Sequence, residues 1–488
     1  MSEPQSNIIR TQAYIGGVWT DAASGKRFPV YDPASNDHIA DVADLDLDEV
    51  RHAIAVAQGA QKSWQAVPAK TRAALLKDLY ALLKEHREEL AELVTRECGK
   101  PIREALGEID YGASFIEWFA EEAKRVYGEL IPTPAADRRI LVVHQPVGVC
   151  GLITPWNFPN AMITRKIGPA LAAGCTVVLK PADETPLSAL AIAALAEKAG
   201  FPPGVINVVT SSNAPSVGAE FCRNPTVRKI SFTGSTAVGR ILMRDSAEHI
   251  KKLSLELGGN APFIVFDDAN LDKAVAAAIA SKYRNTGQTC VCTNRFLVQD
   301  GIYDAFASKL SEAVGQLNVG HGLDGTTEQG PIINTRSLRK VQSHIDDAVQ
   351  KGARVLTGGK PHALGGTFYE PTVLADVNTH MSITREETFG PVAPLFRFTT
   401  EEEAIAMAND TEFGLASYLF TENIHRIWRV SEALEYGMVG INEGIISTEV
   451  APFGGIKASG LGREGSHHGI KDYTEIKYLC MGGLEESN

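Results

Sequence analysis

The sequence predicts an α/β protein with two successive parallel sheets, and two observations support this. From Val147 onward, short β-branched runs alternate with alanine-rich segments of helical pattern. That alternation is typical of a parallel sheet covered by helices. It resumes after Asn260, so the chain holds two such units. We therefore predict a Rossmann-like unit, a second α/β unit, and a cleft between them that suits a ligand.

The first part of the chain predicts short strands followed by helices. Tyr14–Trp19 and Phe28–Tyr31 have the pattern of short strands around turns. A long amphipathic run begins after Pro68 and is closed by Gly99, which predicts one long helix. A second helical pattern extends over residues 102–126.

The two α/β units and two isolated segments complete the predicted elements. The first unit has strands at 147–153, 176–179, 205–209 and 229–232 and a helix at 186–199; the second has strands at 261–266 and 295–299 and a helix at 270–283. Segments 138–144 and 473–480 look like strands without a local partner. Because an unpaired edge is a liability, we expect them to pair with each other and with another subunit, with an ordinary edge hairpin as the alternative.

Composition excludes some classes of partner. The chain has 47 Lys and Arg against 59 Asp and Glu, a net charge of -12, which disfavours nucleic acid and anionic membranes. Seven cysteines without framework spacing favour a reducing compartment. Residues 1–5 resemble neither a signal nor a transit peptide, and no apolar stretch reaches about 18 residues. We expect a cytoplasmic protein with a small-molecule ligand and no metal.

Three residues are candidates for covalent chemistry. Cys290 lies between a glycine turn and a strand, where a nucleophile can be presented, although a lone cysteine is usually a small buried hydrophobe. Glu256 interrupts an apolar strand before a double glycine; burial would raise its pKa towards that of a general base, unless a lysine pairs with it. Asn157 lies between two prolines, and a rigid amide can donate to an oxyanion.

Two segments at strand ends could bind a dinucleotide. Gly234 and Ser235 join a strand to a helix, which leaves backbone N–H groups for an anion, although such turns are more often empty. Lys180 and Asp183 follow another strand of the same sheet. Ligands of open α/β sheets lie at such carboxyl ends, but a solvated ion pair is the alternative.

Together the motifs resemble the aldehyde dehydrogenase superfamily over essentially the whole chain. Six motifs occur in the order found in that family; they are Pro155–Pro159, Lys180–Pro181, Phe232–Ser235, Glu256–Gly259, Gly287–Cys290 and Glu387–Pro391. The resemblance implies a Rossmann-like cofactor domain, an α/β catalytic domain and a small β oligomerisation arm. We place them at 1–125 with 146–258, at 259–458, and at 126–145 with the tail 459–488.

The resemblance also implies roles for individual residues. Cys290 would attack the aldehyde, Asn157 would stabilise the oxyanion, and Glu256 would activate the water that hydrolyses the thioester. Lys166 and Glu464 match positions linked in the family to a proton path, although such a pair is as easily structural. The implied cofactor contacts are Thr154, Trp156, Lys180, Asp183, Gly234, Ser235, Glu387 and Phe389.

Within the superfamily the succinate-semialdehyde dehydrogenases are the closer match. Tyr283–Asn294 looks like their signature, with Arg284 where many relatives carry an aromatic residue. By resemblance Arg165, Arg284 and Ser447 would clamp the substrate carboxylate, which suits bidentate arginine. Some members close a C-x-C pair such as Cys290 and Cys292 into a reversible disulfide, although a spectator thiol is the simpler interpretation.

The resulting hypothesis is oxidation of succinate semialdehyde to succinate with NAD or NADP. Asp183 favours NAD, because its carboxylate could bond the ribose 2′-hydroxyl and repel a 2′-phosphate. Glutarate semialdehyde or a broader set of acidic semialdehydes is the alternative substrate. A CoA-acylating enzyme would not need Glu256, and a catalytically silent paralogue would need neither Glu256 nor Cys290. We expect a homodimer or homotetramer.

Overall fold

The computed structural model describes residues 8–484 of the 488-residue chain. Residues 1–5, which were compared above with signal and transit peptides, lie outside the described residues. Among those that are described, no helix has both the length and the apolar character needed to cross a membrane.

An eight-stranded sheet forms the first unit. Its centre is parallel, and strands at both edges are antiparallel. In spatial order the strands are β19 (Gly460–Leu461), β11 (Lys252–Glu256), β10 (Val227–Thr233), β7 (Val149–Ile153), β8 (Val177–Lys180), β9 (Ile206–Val208), β1 (Ala13–Ile15) and β2 (Val18–Thr20). The predicted α/β class is confirmed, and the carboxyl ends of β7, β8, β10 and β11 carry the sequence motifs.

Helices pack on both faces of this sheet. They are α1 (Leu47–Ala66), α2 (Ala69–Glu85), α3 (Arg87–Cys98), α4 (Ile102–Glu122), α5 (Ala161–Ala173), α6 (Pro186–Lys198), α7 (Ala214–Arg223) and α8 (Thr236–Ser246). The single long helix predicted after Pro68 is wrong, because the chain breaks at His86 into α2 and α3. His86 N donates to Leu82 O in the last hydrogen bond of α2. The carbonyl of His86 accepts from Leu90 N in the first hydrogen bond of α3. Leucines of both helices are buried, so the apolar pattern continues across the break.

A seven-stranded sheet forms the second unit. It is parallel except for β14, and its order is β14 (Arg354–Thr357), β15 (Thr372–Ala375), β16 (Val392–Phe398), β13 (Thr293–Gln299), β12 (Ala261–Val265), β17 (Ala416–Phe420) and β18 (Met438–Ile441). The later helices are α9 (Leu271–Tyr283), α10 (Asp300–Gly315), α11 (Thr335–Gln350), α12 (Ser382–Arg385), α13 (Glu401–Asn409), α14 (Ile424–Ala433) and α15 (Ser466–Gly469). Separate buried clusters line the two sheets, so each unit has its own core.

Two small sheets complete the fold. Strands β3 (Arg27–Tyr31) and β4 (His38–Ala43) form a hairpin. Strands β5 (Glu129–Ile131), β6 (Arg139–Pro146) and β20 (Thr474–Met481) form a three-stranded arm, in which β20 lies antiparallel to β6 over its whole length. The expectation that the two isolated segments pair with each other is confirmed.

The tail of the chain contacts two parts of the fold. Although residues 459–488 were grouped with the arm, β19 adds to the edge of the first sheet beside β11. Glu464 then reaches α5, while β20 pairs with the arm strand β6 and Leu484 N donates to Asp137 O at 3.0 Å. The segment between β19 and β20 thus closes over the first unit before the chain enters the arm.

Candidate active site

A cavity of about 480 Å³ lies between the two units. One wall comes from the carboxyl ends of β7, β10 and β11, and the other from the loop before β13 and from residues 387–389. Residues predicted from the sequence that line it are Trp156, Asn157, Arg165, Gly234, Ser235, Glu256, Arg284, Cys290, Glu387, Phe389 and Ser447. The structure thus brings together eleven residues that are scattered along the chain.

Cys290 is carried by a turn with unusual backbone angles. Asn285, Thr286 and Gly287 all have positive φ, at 50°, 57° and 71°. For a β-branched threonine this conformation is rare, and such outliers cluster at functional sites. A Cβ on Gly287 would lie 2.2 Å from Gly390 O, so only glycine fits there. The turn therefore delivers Cys290 to the cavity in a conformation that the surrounding structure imposes.

The surroundings of Cys290 favour the protonated form of its thiol. Burial raises its pKa to about 12, and the carboxylates of Glu387 and Glu256 add to this effect while Arg165 opposes it. Because the thiolate is the nucleophile, a proton must leave before Cys290 can attack a carbonyl. A base is therefore required close to it.

Glu256 is a carboxyl group that lines the same cavity as Cys290. It ends β11, it is 3% exposed, and neither carboxylate oxygen has a hydrogen-bond partner among residues 8–484. Burial and the nearby charge of Glu464 raise its pKa well above the usual range, with Arg165 and Lys166 opposing. The alternative that Glu256 is paired directly with a lysine is therefore wrong. An unpaired carboxylate of raised pKa suits a general base.

Asn157 is held rigidly beside the thiol loop. Its Nδ2 donates to Gln288 O at 2.9 Å, and its own carbonyl accepts from Asn285 Nδ2 at 2.9 Å. The side chain lines the cavity, and one of its two amide hydrogens remains for a ligand. This geometry can place a donor near an oxyanion formed on Cys290.

The region around Ser235 offers an anion site. Ser235 is the N-cap of α8, and its Oγ accepts from Val238 N at 3.4 Å. Gly234 N donates a hydrogen bond to Glu256 O at 3.0 Å and is not available to a ligand. Gly234 and Ser235 line the cavity immediately before the first turn of this eleven-residue helix, and a helix N-terminus beside a cavity suits an anion such as a pyrophosphate.

Glu387 and Phe389 lie on the opposite wall. Glu387 Oε1 accepts from Gly259 N at 3.1 Å, and burial raises the pKa of Glu387 to about 7. Phe389 has φ of 56° and meets Trp156 edge to face, with ring centroids 5.6 Å apart. A carboxylate and two aromatic rings at one end of the cavity fit a ribose and a flat heterocycle.

Three predicted cofactor residues do not line this cavity. Thr154 is buried, and its N–H donates to Lys180 O at 3.2 Å. Lys180 is buried and pairs with the exposed Asp183 at 3.8 Å. These residues lie at the carboxyl edge of the same sheet, where β7 and β8 end, which is consistent with the adenosine end of an extended dinucleotide. The donor set as a whole fits a nicotinamide dinucleotide.

The two arginines of the predicted clamp differ in their environment. Arg165 is 2% exposed, pairs with Glu464 at 2.8 Å and lies over the Phe453 ring at 4.0 Å. Arg284 is half-buried and lies 5.5 Å from the Phe158 ring centroid, and its guanidinium forms no ion pair or hydrogen bond within the described part of the chain. Ser447 lines the same cavity.

Cys292 is not part of the cavity wall. It is fully buried; its Sγ lies 3.2 Å from Gly287 O and 3.7 Å from Lys282 Nζ. Both Cys290 and Cys292 are free thiols. A disulfide between them would require Cys292 to leave these contacts.

One wall of the cavity was missed by the sequence analysis. Glu104, Glu108 and Tyr111 of α4 line it, and Tyr111 Oη lies 3.3 Å from Arg165 Nη1. These residues are four and three positions apart in the sequence, which places their polar groups on one face of a largely buried helix. That periodicity in the sequence could have indicated them. No group of three or more metal-ligating side chains occurs within residues 8–484.

Comparisons with known proteins agree with this geometry. The aldehyde dehydrogenase family model matches residues 19–479. A glutarate-semialdehyde dehydrogenase of Pseudomonas aeruginosa is 60% identical over 484 residues, covering 99% of this chain and 100% of that protein. An NADP(+) succinate-semialdehyde dehydrogenase of Escherichia coli is 60% identical over 477 residues, covering 98% and 99%. The crystal structure of a succinate-semialdehyde dehydrogenase from Burkholderia pseudomallei gives a TM-score of 0.97 at 60% identity, covering 99% and 100%.

Proposed function

The chain belongs to the aldehyde dehydrogenase family, and from that premise we propose that it oxidises succinate semialdehyde to succinate. The observation that carries the substrate class is Arg284, a cavity arginine with no ion pair within residues 8–484. In a protein of net charge -12, a cation that has no ion pair or hydrogen bond among the described residues, in the same cavity as the nucleophile, favours a substrate that carries its own carboxylate. The Escherichia coli and Burkholderia relatives, named for succinate semialdehyde, support this choice.

The residues of the cavity account for each step of the reaction. Glu256 takes the proton of Cys290 directly or through water, and Cys290 Sγ adds to the aldehyde carbon to give a thiohemiacetal. The Asn157 amide donates to its oxyanion. The bound nicotinamide cofactor supplies the hydride acceptor.

Glu256 completes the cycle. After it has released the thiol proton to solvent, Glu256 deprotonates the water that attacks the thioester carbon; the C–S bond breaks, and this second proton passes to the Cys290 sulfur, which restores the thiol. Aldehyde, water and oxidised cofactor thereby become carboxylic acid, reduced cofactor and a proton.

A second substrate has independent support. The Pseudomonas relative is named for glutarate semialdehyde, which is one methylene longer and carries the same carboxylate. Arg284 and Ser447 recognise that group in either substrate. Comparing kcat/KM for the two semialdehydes decides between them, and a higher value for the longer one would overturn our choice.

The covalent mechanism is tested at Cys290. Cys290→Ala is expected to abolish turnover with every aldehyde, whereas Cys292→Ala retains it because Cys292 does not line the cavity. Retained activity in Cys290→Ala would overturn the mechanism. The same two variants test the predicted redox pairing: peroxide inhibition that thiol reductant reverses should be lost in Cys292→Ala.

The cofactor is NAD or NADP, and we propose a modest preference for NAD. Asp183 follows β8 at the carboxyl edge of the first sheet, where the adenosine ribose is expected, and its carboxylate would repel a 2′-phosphate. However, Lys180 lies 3.8 Å from it and offsets part of that charge. The Escherichia coli relative is named for NADP, so initial rates with both cofactors are the direct test.

The arm supports a homo-oligomer as a further proposal. Leu130 on β5 and Ile476 and Tyr478 on β20 are 71%, 71% and 59% exposed. Apolar side chains on an exposed sheet favour burial against another copy of this chain. Light scattering should show a dimer or tetramer for the wild type and a smaller species for Ile476→Glu.

A cytoplasmic location and a small-molecule partner also remain proposals. All seven cysteines are free thiols, as expected in a reducing compartment. The net charge of -12 is unfavourable for nucleic acid or anionic membranes.

A further inference from the structure

A buried ion pair lies behind the turn that carries Asn157. The pair consists of Lys100, in the loop between α3 and α4, and Glu108 on α4. Both side chains are 0% exposed, and Lys100 Nζ lies 2.5 Å from Glu108 Oε2. Because desolvation opposes the mutual attraction of buried charges, such a pair is weak evidence of added stability. Its contacts point to a different role.

Lys100 fixes the backbone of the catalytic turn. Its Nζ donates to Asn157 O at 2.7 Å and lies 3.8 Å from the centroid of the Phe158 ring. Asn285 Nδ2 donates to the same carbonyl at 2.9 Å. Cys98 Sγ also contacts this oxygen at 3.8 Å, so rotation of the peptide plane after Asn157 is restrained. The backbone from which the Asn157 side chain starts is thereby fixed, and the bond from Nδ2 to Gln288 O completes the orientation of the amide.

Glu108 fixes the other end of the turn. Its Oε1 accepts from Asn160 N at 2.8 Å and Ala161 N at 3.1 Å. These groups begin α5, whose own N-cap side chain makes no capping bond. A single carboxylate therefore caps α5 and anchors Lys100 at the same time.

We propose that Lys100 and Glu108 form a positioning unit that aims the Asn157 amide at the oxyanion on Cys290. Glu108 borders the cavity, but both charged groups are fully buried and bonded to each other, and the unit acts through the backbone carbonyl of Asn157. This inference rests on the proposed function, because it needs an oxyanion formed at Cys290. Oxyanion donors are effective only when held in place before the reaction, and small displacements are costly.

The test is a double-mutant cycle between Lys100→Met and Asn157→Ala, measured as kcat on succinate semialdehyde. Lys100→Met alone should lower kcat by roughly 10–100-fold. In the Asn157→Ala background the same change should lower kcat by less than about threefold, because the group being aimed is gone. Equal losses in the two backgrounds would overturn the proposal.

A second readout separates positioning from general damage. Alkylation of Cys290 by iodoacetamide forms no oxyanion, so its rate in Lys100→Met should stay within about twofold of the wild type. A large fall in the alkylation rate together with kcat would mean that the whole site is distorted, and that would also overturn the proposal.

Glu97 provides a matched control. It is fully buried, and it caps α6 as Glu108 caps α5, with Oε2 and Oε1 each accepting at 2.9 Å from Leu187 N and Ser188 N. Within residues 8–484 its carboxylate makes no hydrogen bond to the Asn157 turn, although its charge interacts with that of Glu108. Glu97→Gln should lower the melting temperature yet keep kcat within about threefold, since no catalytic group is displaced.

A further variant keeps the test decisive. If Lys100→Met does not fold, the Lys100→Met/Glu108→Gln pair replaces it, because it removes both buried charges and leaves the amide oxygen of Gln as an acceptor for Asn160 N and Ala161 N. The same non-additivity with Asn157→Ala is expected. If the wild type does not oxidise the semialdehyde, or if Asn157→Ala is fully active, the proposed function is wrong. If the wild type is active, Asn157→Ala is impaired and the variants at Lys100 and Glu108 behave like the wild type, only the positioning proposal is wrong.

Discussion

Arg165 and Glu464 form a buried ion pair, with Nη2 and Oε2 2.8 Å apart and both side chains at most 5% exposed. The other oxygen of Glu464 pairs with Lys166 at 2.6 Å. The carboxylate of Glu464 thus pairs with an arginine of the cavity. It is also, next to burial itself, the largest cause of the raised pKa of Glu256. Substrate binding and the strength of the base are coupled through Glu464.

This coupling predicts an alkaline pH profile that depends on Glu464. A base of raised pKa gains activity as the pH rises, so wild-type kcat should increase from neutral to alkaline pH. In Glu464→Gln the nearby negative charge is removed, the pKa of Glu256 falls, and the rising limb should move to lower pH. The measurement is kcat against pH, with the exposed acid variant Glu402→Gln as control; an unmoved limb would contradict the coupling.

Glu256→Gln should separate the two halves of the reaction. Thioester hydrolysis needs the base, so steady-state kcat should fall by about 100- to 10,000-fold. Rapid mixing at mildly alkaline pH, where a small fraction of Cys290 is thiolate and reacts, should still show one equivalent of reduced cofactor per active site. Cys290→Ala should show no such burst. Normal steady-state turnover in Glu256→Gln would show that Glu256 does not activate the hydrolytic water.

Arg284→Leu should change substrate preference more than catalysis. Losing hydrogen bonds to a charged carboxylate costs about 1.5–3 kcal/mol, so kcat/KM for succinate semialdehyde should fall roughly 10–150-fold. Butanal has the same chain length without the carboxylate and serves as the control substrate, for which the change should be small. Equal losses for both aldehydes would show that Arg284 supports the loop and does not read the carboxylate.

Asp183→Asn should weaken discrimination between the cofactors. Two charges about 4 Å apart in water interact by about 1 kcal/mol, so removing the carboxylate should raise the NADP to NAD ratio of kcat/KM roughly fivefold. Asp183 is exposed, and the fold should tolerate the change. A wild type that already strongly prefers NADP would show that Lys180, and not Asp183, dominates this position.

Much of the fold was predictable because its elements have strong local signals. Parallel strands are β-branched runs between helices, and β6 and β20 lacked local partners, which predicted their pairing. The break at His86 was not predictable from the leucine pattern, because α2 and α3 bury leucines in the same register. The apolar pattern therefore continues across His86 although the helix does not.

Within the site, residues in compact motifs were easier to predict than those acting over distance. Cys290 and Glu256 lie beside glycines that mark turns. Lys100 and Glu108 are charged residues eight positions apart and look like ordinary surface groups in the sequence. Their burial follows from how α4 packs on α5 and the Asn157 turn, and no local pattern encodes that arrangement.

The contact between Lys166 and Glu464 spans 298 residues, which has a consequence for the order of events during synthesis. At about 5–20 residues per second, roughly 15–60 s pass between translation of the two residues. Throughout that interval α5 carries two cations destined for burial with no counter-charge, and β11 lacks its neighbour β19. The first unit therefore cannot be completed on the ribosome ahead of the second, and a nascent chain has no tuned base with which to activate its thiol.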